Sequence, residues 1–446
     1  MNDKPRPRRR KRAAVAASSK PSSSPSPTHS RSTSRSRSRA SNEESSGSAA
    51  EPRAKRIAQA IASIDLTELK QLARTGNGLQ TMRNRRRAWP LLLNFRSLTE
   101  EEEEEEEEAA HPDEPQVALD IVRTSLPKST EYRKDEAATK KRQEQLGKVV
   151  GAVLRKYPWL GYYQGFHELV LTFLCVFGSV RPATEAAKMV ALFFVRDAMS
   201  SNLDNVLVQL QLLYVLLREV SPDVHALLAE LDVPPFFAIS WVLTWFAHDI
   251  DGFDDMCRIY DFLIVSPPLQ VVYMAAALVK RNERAILACE RDFAIVHTTL
   301  AQLPRTVGKW RHVIADSYFL ERDYPATRLQ HMGSCHLPKL SAVNSFEATW
   351  RRLDPAQPKP FVGLVPILHG CHPLVSEAAT ASAKGGIANG RAAVNRMARV
   401  IDLTSTAQKA RDLALQHRWP ILFATVASAT MVMYAWLLVQ QFQMHP

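Results

Sequence analysis

Asp120 and Arg123 lie three residues apart, and Gln164 closes the run Gly161, Tyr162, Tyr163 just before Gly165. On a helix, positions i and i+3 share a face. A carboxylate there can hold a guanidinium in one pose, because the planar Arg fork matches it bidentately. A glutamine amide at a Gly-flanked bend presents both a donor and an acceptor. The two tips suit a single chemistry. A fixed arginine neutralises charge developing on a transferring phosphoryl group, and an amide orients the attacking water.

Each pair alone is weak, since Asp and Arg at this spacing occur on many solvated helices. Other residues lend weight to them. Val117, Asp120 and Arg123 approximate I-x-x-D-x-x-R, with Val in place of Ile as the β-branched anchor. Tyr162, Gln164 and Gly165 complete Y-x-Q-G. Upstream, Arg85, Trp89, Pro90, Leu92 and Leu93 read R-x-x-x-W-P-x-L-L. Downstream, residues 239–248 read as a helix carrying Trp241 and Phe246, followed by Arg258, Tyr260, Asp261 and Phe262. In this order and spacing the chain resembles the TBC family of Rab GTPase-activating proteins over about residues 55–320.

The resemblance implies an all-α, two-lobed domain that acts in trans on a Rab-type small GTPase. Arg123 is then the arginine finger and Gln164 the glutamine that orients water. Asp120 is expected to hold Arg123, and Tyr162 and Gly165 to fix the Gln164 bend. Arg85 and Trp89 are expected to support the finger helix, with Trp89 in the core and Arg85 open to pairing with an internal acid. His167 reads as a neighbour of the bend. The GTP and Mg²⁺ belong to the partner, so no cofactor or metal of the chain's own is expected. The protein is expected to be an activator with no substrate turnover of its own. The alternative is a membrane-anchored Rab-binding scaffold without activating power.

Composition narrows the class. The 446 residues are 46% hydrophobic and carry a net charge of +11. Residues 1–50 hold 12 Lys or Arg against 3 acids, so the remaining 396 residues are near neutral. The globular part is therefore no basic nucleic-acid platform, and no nucleic-acid partner is expected. Five scattered cysteines without C-x-x-C spacing fit a reducing setting and no disulfide framework. His331, Cys335, His336, His369, Cys371 and His372 match no common zinc module. The chain contains no P-loop and no G-x-G-x-x-G, hence no device of its own for nucleotide phosphates. The basic N-terminal stretch has no apolar h-region of a secretory signal.

The expected organisation has four parts. Residues 1–53 form a disordered Arg/Ser-rich tail. Residues 54–320 form the TBC domain, opening on Ile57, Ile61, Ile64 and Leu69 at helical spacing until Gly76 and Gly78. Nine glutamates at 100–108 interrupt it, and their mutual repulsion reads as an unfolded insertion. Residues 321–418 combine a helical extension, a Pro- and Ala-rich linker and a basic amphipathic stretch.

Residues 419–440 are expected to be a transmembrane tail anchor. Positions 421–439 carry no charge, and at about 1.5 Å per residue they cross a hydrocarbon core of about 30 Å. Lys409, Arg411, His417 and Arg418 flank the segment on its cytosolic side by the positive-inside rule. With only residues 441–446 beyond, insertion is expected after synthesis. Such an anchor resembles the endoplasmic-reticulum branch of the family, which serves ER-to-Golgi traffic. That implies a location on the endoplasmic reticulum or early Golgi membrane.

Overall fold

A computed structural model describes residues 51–95, 109–124, 126 and 136–350. The basic tail at 1–50, the glutamate run, the linker and the expected anchor at 419–440 lie outside the described residues.

The described chain is helical, with no strand among its elements. In order these are α1 (Arg53–Ala62), α2 (Leu66–Arg74), α3 (Met82–Leu92), α4 (Glu114–Arg123), α5 (Glu136–Lys156) and α6 (Phe166–Phe177). Then come α7 (Val180–Phe193), α8 (Asp204–Val220), α9 (Pro222–Glu230), α10 (Ile239–Thr244), α11 (Phe253–Leu263) and α12 (Gln270–Arg281). The last are α13 (Glu283–Leu287), α14 (Phe293–Ala301), α15 (Trp310–Asp323), α16 (Ala326–Gly333) and α17 (Ala342–Trp350). Among the described residues no single helix is long and apolar enough to cross a membrane.

Local chemistry sets these bounds. Asp65 accepts from the Glu68 amide and caps α2, and Thr81 does the same for Asn84 in α3. Pro115 and Pro222 sit in the first turns of α4 and α9, where a missing N–H costs nothing. The helical run from residue 54 does not continue to Gly76 as one piece. Ile64 adopts φ +53° and is exposed, so α1 stops and Asp65 starts α2.

α6 and α12 are buried on nearly every face and form the centre. α12 lies between α8 and α15, while α6 meets α7, α5 and α3. Trp89 on α3 packs edge-on against Phe173 of α6 at 5.5 Å and stacks near Tyr260 of α11 at 6.3 Å. This aromatic seam joins α3, α6 and α11 within the hydrophobic core.

Two further expectations change. The stretch 239–248 is not one helix: α10 ends at Thr244, and Trp245 and Phe246 take φ +53° and +65°. Left-handed non-glycine residues cost about 1–3 kcal/mol each, and survive where packing over-determines them. Here Trp245 packs against Phe194 and Tyr260, and Phe246 against Trp241 and Trp310. The folded domain also runs past residue 320. Phe346 and Trp350 of α17 pack on Phe194, and the Ala342 amide donates to buried Asp197 at 2.7 Å.

Candidate functional site

α4 is an amphipathic helix with Val117 and Ile121 turned inward. Its first turn is clamped by a two-pronged Glu114–Arg155 pair at 2.6 Å, which pulls the Glu114 carboxyl down to about 2. The last carbonyls of a helix lack intrahelical partners. Gln143 of α5 supplies them, donating to Ile121 O at 3.2 Å and Val122 O at 3.4 Å. The Thr124 hydroxyl donates to Asp120 O at 2.9 Å. The helix end is thus fixed, and Arg123 is its last residue. Arg123 is exposed, and its guanidinium has no partner among the described residues. Leu119 and Val122 beside it are 54% and 75% exposed.

Asp120 does not hold Arg123. It is only 4% exposed, and its carboxylate accepts from the Tyr162 hydroxyl at 2.9 Å and from Gln116 at 3.1 Å. The reason is angular: the residues share a helix side, but Asp120 faces the core beside Ile121 whereas Arg123 turns outward at the terminus. Asp120 therefore positions the glutamine turn against α4.

That turn is pinned on both flanks. The Tyr162 amide donates to Asp113 Oδ2 at 2.8 Å, and the Gly161 amide to Met199 O at 2.8 Å. The Tyr163 hydroxyl donates to Leu243 O at 2.8 Å, at the end of α10. Burial holds both phenols well above their ordinary values, so both act as neutral donors. Gly165 has φ +113°, and a Cβ there would stand 2.9 Å from Thr244 Cγ2. No larger residue fits that approach. Gln164 stands at the apex, half-buried, with its amide unpartnered among the described residues. The early end of α10 explains this support, since it leaves Leu243 O and Thr244 facing the turn.

Arg85 and Trp89 are elsewhere. Arg85 forms a two-pronged pair with Asp261 of α11 at 2.9–3.2 Å, and Trp89 Nε1 donates to the same carboxylate at 2.9 Å. The Leu79 amide adds a fourth contact at 3.0 Å. They join α3 to α11 and back α6 through Phe173, rather than supporting α4 directly. Arg85 does pair with an internal acid.

Sequence reasoning missed Asp113 and the Glu168–His248 pair, quoted Asp261 only as part of a downstream motif, and read His167 only as a neighbour. The Glu168 carboxylate meets His248 Nδ1 at 3.0 Å, which raises that imidazole to about 9. Asp113 had a local signal, standing just before Glu114 and Pro115 at a helix start. Nothing local marks Asp261 or His248 as partners. Among the described residues no group of three His, Cys, Asp or Glu side chains is placed to hold a metal.

The profile of the Rab-GTPase-TBC domain matches residues 82–287, which include all the site residues above. TBC1 domain family member 20 of Mus musculus is 36% identical over 259 residues, covering 57% of this chain and 64% of its own length. The Homo sapiens protein of that name is 34% identical, with the same coverage. GTPase-activating protein gyp10 of Schizosaccharomyces pombe is 30% identical over 256 residues, covering 56% of this chain and 67% of gyp10. The match thus spans a little under two thirds of the length of the two mammalian relatives.

Proposed function

Since the chain belongs to the RabGAP-TBC family, we propose that it accelerates GTP hydrolysis by a Rab-type GTPase by lending it Arg123 and Gln164. One observation carries this: two polar side chains that have no partner among the described residues stand on supports that are themselves bonded. An exposed arginine on a capped helix end can enter another protein's nucleotide site without first breaking an ion pair. Gln164 can likewise offer its whole amide to a water. Catalysis of phosphoryl transfer is mostly positioning and charge stabilisation, so pre-set tips of this kind are what the reaction requires. Exposed Leu119 and Val122 offer apolar contact next to the arginine. The GTP and Mg²⁺ are the partner's.

The proposal extends to place. A membrane-spanning segment at 419–440 holds the domain on the cytosolic face of the endoplasmic reticulum or early Golgi, in vesicle traffic between them. Its support is the uncharged stretch 421–439 with basic residues ahead of it. Carbonate extraction of membranes from expressing cells tests it: release of the chain into the soluble fraction removes the anchor.

The activity is tested by phosphate release from a panel of GTP-loaded Rabs with the full chain, Arg123→Ala and Gln164→Ala. Stimulation of a Rab by wild type, lost in both variants, is the expected result. A folded wild-type chain that binds a Rab without stimulating any leaves the scaffold instead.

A further inference from the structure

The Tyr162 hydroxyl stands 2.9 Å from Asp120 Oδ2 and 2.6 Å from His167 Nδ1. A hydroxyl has one proton to give, and a carboxylate only accepts. The Tyr162 proton therefore goes to Asp120, and the second contact is a hydrogen bond only when His167 donates from Nδ1. We propose that His167 is a positioning residue for GTPase activation: fixed as the Nδ1–H tautomer, it donates to Tyr162 and commits the Tyr162 proton to Asp120, locking the arginine-bearing helix to the glutamine turn. This rests on the two-finger function proposed above and assigns it a third participant, remote from the nucleotide.

The surroundings of His167 support this tautomer. The ring is buried in the first turn of α6. Its Nε2 lies 3.9 Å from Glu168 Oε1, beyond hydrogen-bond reach. That carboxylate is already bonded to His248. The assignment comes from the network of partners, as tautomers do. Burial also pushes the His167 imidazole below its ordinary value, leaving one ring proton whose position matters.

The consequence for the reaction is geometric. Asp120 is one turn from Arg123, and Tyr162 is two residues from Gln164. When His167 cannot donate, Tyr162 is free to rotate away from Asp120, and the two tips lose their common anchor. A shift on the order of 1 Å at the reacting centre costs about 10²-fold.

The test uses the full chain as wild type, His167→Asn, His167→Gln and His167→Leu, on the GTP-loaded Rab that wild type stimulates most. Asn places an amide nitrogen where Nδ1 sits, whereas Gln reaches toward the Nε2 position. His167→Asn is expected to keep kcat within a few-fold of wild type. His167→Gln and His167→Leu are expected to lose about 10²-fold in kcat with KM unchanged. Adding Tyr162→Phe to His167→Leu costs little more, because without the histidine Tyr162 has already left Asp120. A purely structural histidine would lower thermal stability without this ordering of the Asn and Gln variants. Should His167→Leu fail to fold, the Asn and Gln pair decides. Equal activity of Gln and wild type, or an Asn variant as weak as Gln, overturns the proposal. Arg123→Ala runs alongside: if it is inert while the His167 series is flat, only the role of His167 falls. If Arg123→Ala stimulates like wild type, the two-finger function falls and this proposal with it.

Discussion

The cluster around Asp261 and the edge at Arg123 and Gln164 use similar residue types for opposite ends. Asp261 is fully buried, and four donors from Leu79, Arg85 and Trp89 converge on its two oxygens. Gly78, at φ +61°, lets the chain pass that carboxylate, since a Cβ there would stand 2.4 Å from Oδ2. At the other cluster the supports are bonded and the tips are not. Tyr162, Asp120, Gln143 and Gly165 are all engaged, while Arg123 and Gln164 have no partner among the described residues. A buried charge must be paired to be tolerated at all. A charge kept for another molecule must remain exposed and unpaired until that molecule arrives. An arginine can serve either purpose, and burial decides which.

The contrast breaks most sharply at Arg123. Arg123→Ala should lower stimulated hydrolysis by about 10³–10⁵. Its unfolding free energy should move by no more than about 0.5 kcal/mol, as for other exposed positions. A thermal scan beside the phosphate-release assay checks both, and a marked loss of stability would show that Arg123 serves the fold. Asp261→Asn should do the reverse. It strands the buried Arg85 charge and should cost about 3–5 kcal/mol, read from the denaturant midpoint. The folded fraction should still stimulate GTP hydrolysis, because the cluster does not touch α4.

Gly165→Ala sits between these extremes. The left-handed φ and the contact with Thr244 should cost about 1–3 kcal/mol. Moving the Gln164 bend should also lower kcat, so both assays respond.

The smallest effect is a pH dependence at the Glu168–His248 pair. His248 is raised to about 9 in the folded chain, above its ordinary 6.5, so its contribution is full below 6.5 and lost as pH rises through 9. Glu168 is lowered: burial alone would raise it, but its bond to His248 and the charges of His248 and His167 together outweigh that. Its contribution is therefore present above its ordinary 4.5 and lost in acid. His248 is half exposed, so solvent screens the pair and the gain is modest. Wild type should exceed His248→Gln in melting temperature at pH 6, and the gap should close by pH 10. A gap that persists at pH 10 would mean that packing, not charge, distinguishes them.

Much of the site was legible because its motifs are local. Val117, Asp120 and Arg123 occupy one helix, and Tyr162, Gln164 and Gly165 one turn, so spacing along the chain reports their arrangement. Helices α6 and α8 are likewise legible as apolar runs closed by Gly178 and Pro222. Other features were hidden because they depend on distant partners. Ile64 breaks a run whose periodicity reads as unbroken, since the capping of α2 by Asp65 outweighs it. The left-handed Trp245 and Phe246 are tolerated because rings from Phe194, Tyr260, Trp241 and Trp310 hold them.

The sequence by itself determined the helical class, the family motifs and Arg123 and Gln164 as the candidate tips. These follow from residue type and short spacing, which the backbone's periodicity converts directly into a shared face or a bend. Only the tertiary structure decided what Asp120 holds, where Arg85 and Trp89 anchor, and that His167 meets Tyr162. Those depend on which helices lie side by side. A hydrogen bond reaches about 3 Å, and residues 42 or 176 positions apart come within that distance only once the core has folded.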